Sequence, residues 1–253
     1  MKSALILGSG RSGTSMLAGA LSHAGYFMGE QFRPGNALNP KGFFEDKEIN
    51  RINEELLAPV TAARPTGLLG YCYRSRPVHG QRWLAMVPVG TPILCPPTLT
   101  QRIAAQSARR PFCFKDPRFS YTLPAWRPFL DRDTVFICMF RDPAKSALSM
   151  VHASQEMYKG HLRLGLAQAL RVWLCMYQHI LTVHRRTGAW LFLHYDQVVN
   201  GAGLAKVEAL LGVSVDRQFP DERLNRSVAN GVANSPIWRV YHQLCDLAAF
   251  RLR

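Results

Sequence analysis

Two short segments carry side chains suited to holding anions, and residue type says more about them than spacing does. The first is Gly8-Ser-Gly-Arg-Ser-Gly-Thr-Ser15, which follows a short apolar run and opens a helical pattern. In that setting the backbone N–H groups of a tight turn and of the first helical residues converge on one spot and bind an anion. The glycines, Gly10 and Gly13 among them, permit left-handed backbone and close approach; Thr14 and Ser15 add hydroxyls, and Arg11 can fork onto oxyanions. The second segment is Arg141-Asp-Pro-Ala-Lys-Ser-Ala-Leu-Ser149, at the exit of a strong apolar run. Asp142 suits a helix N-cap and Pro143 a first helical position. Lys145 and Ser149 then share a face one turn apart, and Arg141 at the strand's end reaches the same side. Two cationic sites suit a nucleotide phosphorylated at both ends.

Three chemistries compete for the first segment. A nucleotide triphosphate loop, G-x-x-x-x-G-K-[ST], fits Gly8 and Gly13 but finds Thr14 where the lysine belongs, which disfavours a kinase or ATPase. A dinucleotide fingerprint finds G-x-G-x-x-G in Gly8, Gly10 and Gly13, with Glu30 at about the right distance for a ribose contact, so an NAD(P)-dependent Rossmann oxidoreductase is an alternative. The third reading is a loop for a 5′-phosphosulfate, where a cation and hydroxyls suffice and no magnesium ligand is needed. The Arg141 segment is unexplained by the first two readings and required by the third, provided one ligand reaches both segments.

The elements that would position these groups follow from hydrophobic periodicity. Ala4–Leu7, Thr134–Phe140 and Trp190–Leu193, with a weaker run at Phe112–Phe114, read as buried parallel strands. Between them lie helical periods: Leu17, Ala20, Leu21 and Ala24; Ala144, Ala147, Leu148 and Val151; Leu166, Leu170, Trp173, Leu174, Tyr177 and Leu181. The expected fold is α/β, a three-layer P-loop-type parallel sheet with helices on both faces and ligands at the strands' carboxyl ends. One domain is expected over residues 1–253, with 59–111 as an acceptor-binding or lid insertion, because prolines and glycines break the periodicity there apart from a helix near Leu99 to Arg109. A closing helix is expected from Pro236 to Phe250, with Ile237, Val240, Tyr241, Leu244 and Leu247 on one stripe.

Composition bounds the remaining classes. In 253 residues, 47% hydrophobic and 19% charged, there is enough apolar material for a sizeable core. No apolar run approaches the length of a membrane span, so a soluble, cytoplasmic protein is expected. The six cysteines show no C-x-x-C pair and the eight histidines no metal-ligand spacing, so neither a disulfide framework nor a metal is expected. A net charge of +14 favours an anionic ligand. The arginines are spread rather than gathered with aromatics, which argues against nucleic acid, although a non-catalytic nucleotide- or polyanion-binding protein remains an alternative.

Taken together, the two segments resemble the motifs of the sulfotransferases that use 3′-phosphoadenosine 5′-phosphosulfate (PAPS). The family's 5′-phosphosulfate loop, commonly [KR]-S-G-[TS]-[TS], is matched by Arg11, Ser12, Gly13, Thr14 and Ser15. Its 3′-phosphate motif, R-x-P with a serine eight residues after the arginine, is matched by Arg141, Pro143 and Ser149, in family order. Further similarity runs through Gly42–Glu45, Phe114–Arg118 and Leu191–Asp196. The resemblance implies a bacterial or carbohydrate-type sulfotransferase with PAPS as co-substrate, PAP as product, and a hydroxyl acceptor, expected to be a carbohydrate or glycolipid. It implies that Arg11 and the Gly13–Ser15 segment hold the 5′ side and that Arg141 and Ser149 hold the 3′-phosphate. The R-K-G-x-x-G ending of the small-molecule branch is missing; Asn225-Arg-Ser227 stands in a comparable place, which makes Arg226 a further candidate for the 3′-phosphate.

Sulfuryl transfer needs an in-line nucleophile, a stabilised leaving oxygen and a base for the acceptor hydroxyl. Arg11 is expected to stabilise the leaving phosphate. Glu45, just before a helix over Asp46–Leu57, is the leading base; Lys115 and Asp116, which follow a short strand, compete with it, and Asp116 can equally be a buried partner of Arg118.

Overall fold

The computed structural model describes residues 1–221 and 236–252. Four parallel strands form one sheet in the order β2-β1-β3-β4: β1 (Ala4–Leu7), β2 (Cys113–Lys115), β3 (Val135–Phe140) and β4 (Ala189–His194). Every apolar run expected as a strand is one, with β2 displaced by one residue so that it ends on Lys115. Parallel pairing aligns Ile6 with both Lys115 and Ile137, and Phe140 with His194.

Alternation along the strands divides the interior into two layers. Leu5, Leu7, Phe114, Phe136, Cys138 and Phe140 face one side. There they meet α2 (Lys47–Leu57), α4 (Pro97–Ser107), α5 (Phe119–Trp126), α6 (Pro143–Tyr158), α7 (Leu166–Thr182) and α10 (Pro236–Ala248). Ala4, Ile6, Cys113, Val135, Ile137 and Met139 face the other side, against α1 (Thr14–Ala20), α8 (Tyr195–Val199) and α9 (Ala202–Leu211). Among the described residues the one remaining α-helix, α3 (Leu69–Cys72), is a single turn between α2 and α4. Helices thus cover both faces of a parallel sheet, as the strand and helix periods require.

Some helical stripes are rotated from expectation. On α6 the buried positions are Pro143, Ser146, Ala147, Met150, Ala153 and Ser154, while Leu148 is exposed. Leu148 and His152 both line a cleft, so the apolar surface of Leu148 faces that cleft and not the core. On α10, Tyr241, Leu244, Cys245 and Ala248 are buried and Leu247 is exposed. On α7, Leu166 is exposed and Ala169 begins the buried stripe.

The chain leaves β1 toward β2 on one side and returns across it to β3 on the other. Loops after β1 and β3 therefore diverge and leave a crevice at their carboxyl ends, where an open α/β sheet binds ligands. Gly8–Gly13 and Arg141 both lie there.

Candidate functional site

Buried side chains hold the turn after β1 from beneath. The Gly8 N–H donates to Ser120 Oγ (3.2 Å), and the Ser9 N–H donates to the Tyr177 hydroxyl (3.1 Å). That hydroxyl in turn donates to the Met139 carbonyl at 2.7 Å, so a single phenol ties the exit of β1 to the end of β3. Gly8 has φ 135°, and a Cβ there would lie 2.1 Å from the Met139 carbonyl oxygen. Gly13 has φ 94°, and its Cβ would meet the Tyr195 ring at 2.7 Å. Both positions need glycine for conformation and for space. Ser12 departs from expectation: its hydroxyl is buried and donates to the Ser9 carbonyl (2.7 Å), so it shapes the turn and does not face a ligand.

A cleft of about 470 Å³ opens over the turn. Arg11, Thr14 and Ser15 form one wall, and Arg141, Ser149 and His152 another. Arg11 Nε donates to Ser149 Oγ (3.0 Å) and its Nη2 to the Leu38 carbonyl (3.2 Å). Arg141 lies 4.4 Å over the Tyr195 ring. Burial pushes the Arg11 guanidinium below its ordinary pKa, and the charge of Arg141 pushes it further, with Tyr195 opposing. Burial likewise lowers Arg141, against Tyr195, Asp196 and Asp142. Two desolvated, mutually repelling cations in one cleft are stabilised by an anion between them. Because α1 has only two turns, this attraction rests on the guanidinium charges more than on a helix dipole. Lys145 does not join them; its N–H caps onto Asp142 and its side chain lies outside the lining.

The cleft also contains residues whose role the sequence did not disclose. Tyr195 follows β4 directly, and Phe219 and Lys41 close the opposite side. Lys41 Nζ donates to the Phe219 carbonyl (2.6 Å), lies 4.9 Å over its ring and sits 3.9 Å from Asp221. The strand-end rule points to Tyr195; nothing in the local sequence marks Phe219.

A second pocket, of about 50 Å³, shares Arg11, Thr14 and Ser15 with the cleft. Gly10, Arg33, Phe43, Glu45, Trp83 and Lys115 complete much of it. As the last residue of β2, Lys115 points toward α1, where its Nζ donates to Ser15 Oγ (3.1 Å) and to Glu45 Oε1 (2.5 Å). Arg33 stands 3.7 Å from the other Glu45 oxygen. Burial pushes the Lys115 ammonium below its ordinary pKa, and Glu45 opposes this most.

Glu45 is not the helix cap. Asp46 takes that place, accepting from Glu48 N–H (2.8 Å) and Ile49 N–H (3.0 Å), which leaves the Glu45 carboxylate to the pocket. Asp116 is not in the pocket. Fully buried, it accepts from Asn50 (2.8 Å), Asn53 (3.0 Å) and Arg118 (3.0 Å), so its oxygens are occupied in the core. Glu30 pairs with Arg109 at the surface, away from the cleft. Arg226 lies outside the described residues. Among the described residues, no group of three or more His, Cys, Asp or Glu side chains is placed to hold a metal ion.

No family model and no curated protein matches the sequence. Solved structures do match the fold. A sulfotransferase domain from the curacin biosynthetic pathway superimposes with a TM-score of 0.55 at 16% identity, over 100% of this chain and 99% of that one. Sulfotransferase STF9 from Mycobacterium avium does so with a TM-score of 0.53 at 13% identity, over 99% of this chain and 78% of that one. The chain has the sulfotransferase fold. Within this sulfotransferase fold, residues from the two motifs meet in a single cleft: Gly13, Thr14 and Ser15 with Arg11 on one side, Arg141 and Ser149 on the other.

Proposed function

We propose that this protein transfers the sulfuryl group of PAPS to a hydroxyl acceptor. The supporting observation is the shared lining: Arg11, Thr14 and Ser15 belong both to a large cationic cleft and to a small pocket holding Glu45 and Lys115. In-line displacement places nucleophile and leaving group on opposite sides of the transferred atom, and two pockets with common lining residues are compatible with a donor in one and an acceptor in the other.

In this reading Arg141 and Ser149 hold the 3′-phosphate, with Tyr195 and Phe219 offering faces for the base. Arg11, Thr14 and Ser15 surround the phosphosulfate. The acceptor oxygen approaches from the small pocket and bonds to sulfur as the bond from sulfur to the 5′-phosphate oxygen breaks. Glu45 takes the acceptor proton, and the electron pair of the broken bond goes to the phosphate oxygen, where Arg11 and Lys115 meet the growing charge. Lys115 also fixes Glu45 and Ser15 relative to each other through its two hydrogen bonds. The acceptor we propose is a carbohydrate or glycolipid hydroxyl.

Against the dinucleotide alternative stands Glu30, whose engagement with Arg109 keeps the ribose-binding carboxylate away from the cleft. Calorimetry with PAP, NADP and heparin in parallel tests all three readings. PAP should bind tightly without magnesium; tighter binding of NADP, or heparin binding with no response to PAP, overturns the proposal.

A further inference from the structure

The segment between α2 and α4 presents an apolar surface that neither the core nor the cleft uses. Leu68 is 91% exposed, Tyr71 70% and Leu69 65%, all on or beside the single turn of α3, and Tyr73 follows them into solvent. Scattered exposed leucines are ordinary, but an adjacent pair beside two exposed tyrosines is a patch.

A cluster of cations borders it. Arg64 donates to the carbonyls of Arg74 (3.2 Å), Arg76 and His161 (2.7 Å), and Arg76 donates back to the Ala63 carbonyl (2.8 Å). Arg74 lies 3.6 Å over the Tyr71 ring and Arg76 4.2 Å over that of Tyr73. Between Leu56 and Lys115 the sequence contains no aspartate or glutamate. Arg82, Arg102, Arg109 and Arg110 of this stretch find carboxylates elsewhere in the fold. Arg64, Arg74 and Arg76 form no salt bridge among the described residues, and burial and Arg74 together lower the Arg64 guanidinium. The abutting turn adds exposed Lys159 and Arg163 against one acid, Glu156. Uncompensated positive charge is therefore concentrated where the apolar side chains protrude.

We infer that this surface docks on an anionic lipid bilayer, with Leu68 and Leu69 entering the acyl boundary, Tyr71 at headgroup depth and the arginine cluster against lipid phosphates. The composition is that of an interfacial anchor: aliphatic tips, amphipathic aromatics and long cationic side chains. An acidic protein would answer the charge equally well. Leucines this exposed, however, suit a deformable apolar phase better than a rigid partner, which gains by covering a flat or concave face. The docking stands independently of the transfer chemistry. One consequence rests on that proposal: the same segment supplies Trp83 to the small pocket, and Glu54 fixes it by accepting from the Gly80 N–H (2.8 Å) and from Arg82, so a docked segment would bring an acceptor wall to a lipid-borne hydroxyl.

Vesicle co-sedimentation of the full chain, without donor or acceptor, tests the docking. The wild type should partition onto vesicles of phosphatidylcholine with phosphatidylglycerol roughly tenfold more strongly than onto phosphatidylcholine alone, and raising salt to about 0.5 M should weaken this. The variant L68S/L69S, altered only at exposed positions, should lose about tenfold in partitioning while binding PAP as the wild type does. The inference is overturned if the wild type stays in solution with anionic vesicles. It is equally overturned if L68S/L69S sediments like the wild type, since that result leaves only generic charge attraction. Loss of PAP binding by the wild type would instead count against the transfer proposal and leave the docking standing.

Discussion

Arg11 Nε lies 3.0 Å from Ser149 Oγ, a hydrogen bond that joins the turn after β1 to the second turn of α6 across 138 residues of sequence. The bond brings together motif residues that the sequence analysis assigned to two separate phosphates. It also gives Arg11 a partner, and Arg141 is close enough to repel the same guanidinium. An arriving dianion offers Arg11 a stronger acceptor than a hydroxyl, so ligand binding and reorientation of Arg11 should be coupled.

In the proposed transfer, Arg11 meets the charge that grows on the leaving phosphate. Turnover of Arg11→Ala should fall by ~100-fold or more, the scale expected for losing one preorganised donor to developing charge. Initial rates with labelled PAPS measure this. A change below about threefold would assign the leaving-group role elsewhere in the cleft.

Ser149→Ala removes a hydroxyl at the edge of the cleft, and the helix should tolerate it. Hydrogen bonds to charged groups contribute about 1.5–3 kcal/mol, so PAP affinity should drop by roughly tenfold or more, with thermal stability little changed. Unaltered PAP affinity in calorimetry would mean that the serine serves Arg11 alone.

Glu45 lines the small pocket and Asp116 lies in the core, so the proposed function gives them different expected effects. Glu45→Gln should abolish most turnover, keep PAP binding and flatten the acidic limb of the pH–rate profile, because an amide cannot take the acceptor proton. Asp116→Asn should instead act on folding. It breaks a buried pair with Arg118, for which about 3–5 kcal/mol of destabilisation is expected, read as a lower urea midpoint. If Asp116→Asn were fully stable and inactive, the two roles would have to be exchanged.

The strands were legible in the sequence because buried parallel strands are short, continuous apolar runs, and Ala4–Leu7 and Val135–Phe140 are of that kind. Arg11 and Arg141 stood out as candidates because strand exits carry ligand groups in this architecture, and Ser149 because it lies in the second turn of the helix that follows Arg141. The orientation of α6 was not. Leu148 reads as a core residue by period, and only the position of the cleft shows that its apolar side faces outward from the core. Asp116 stayed open between two readings for a related reason: a carboxylate beside a strand-end lysine has the same local sequence whether it turns toward the pocket or toward Asn50, Asn53 and Arg118, as it does. Phe219 reaches the cleft through a contact with Lys41, 178 residues away, which no local pattern encodes.

Stability should depend on pH through two buried histidines. Burial pushes His184 down to about 3, with its ring nitrogen against the Ser120 carbonyl. His194 is also pushed down to about 3, first by burial and then by Arg141 and Lys145. Both stay neutral in the folded protein over a range where the unfolded chain binds protons at about 6.5, so unfolding takes up protons there. Their stabilising contribution is complete above about pH 6.5 and is lost as pH falls toward 3, at up to ~1.4 kcal/mol per pH unit for each histidine. Melting temperature should therefore decline through this window. Replacing His184 with Gln, which can still donate to the Ser120 carbonyl, should lower stability at neutral pH but make the decline shallower. A slope identical to that of the wild type would show that His184 already titrates normally in the folded state, and the acid sensitivity would then belong to the carboxylates.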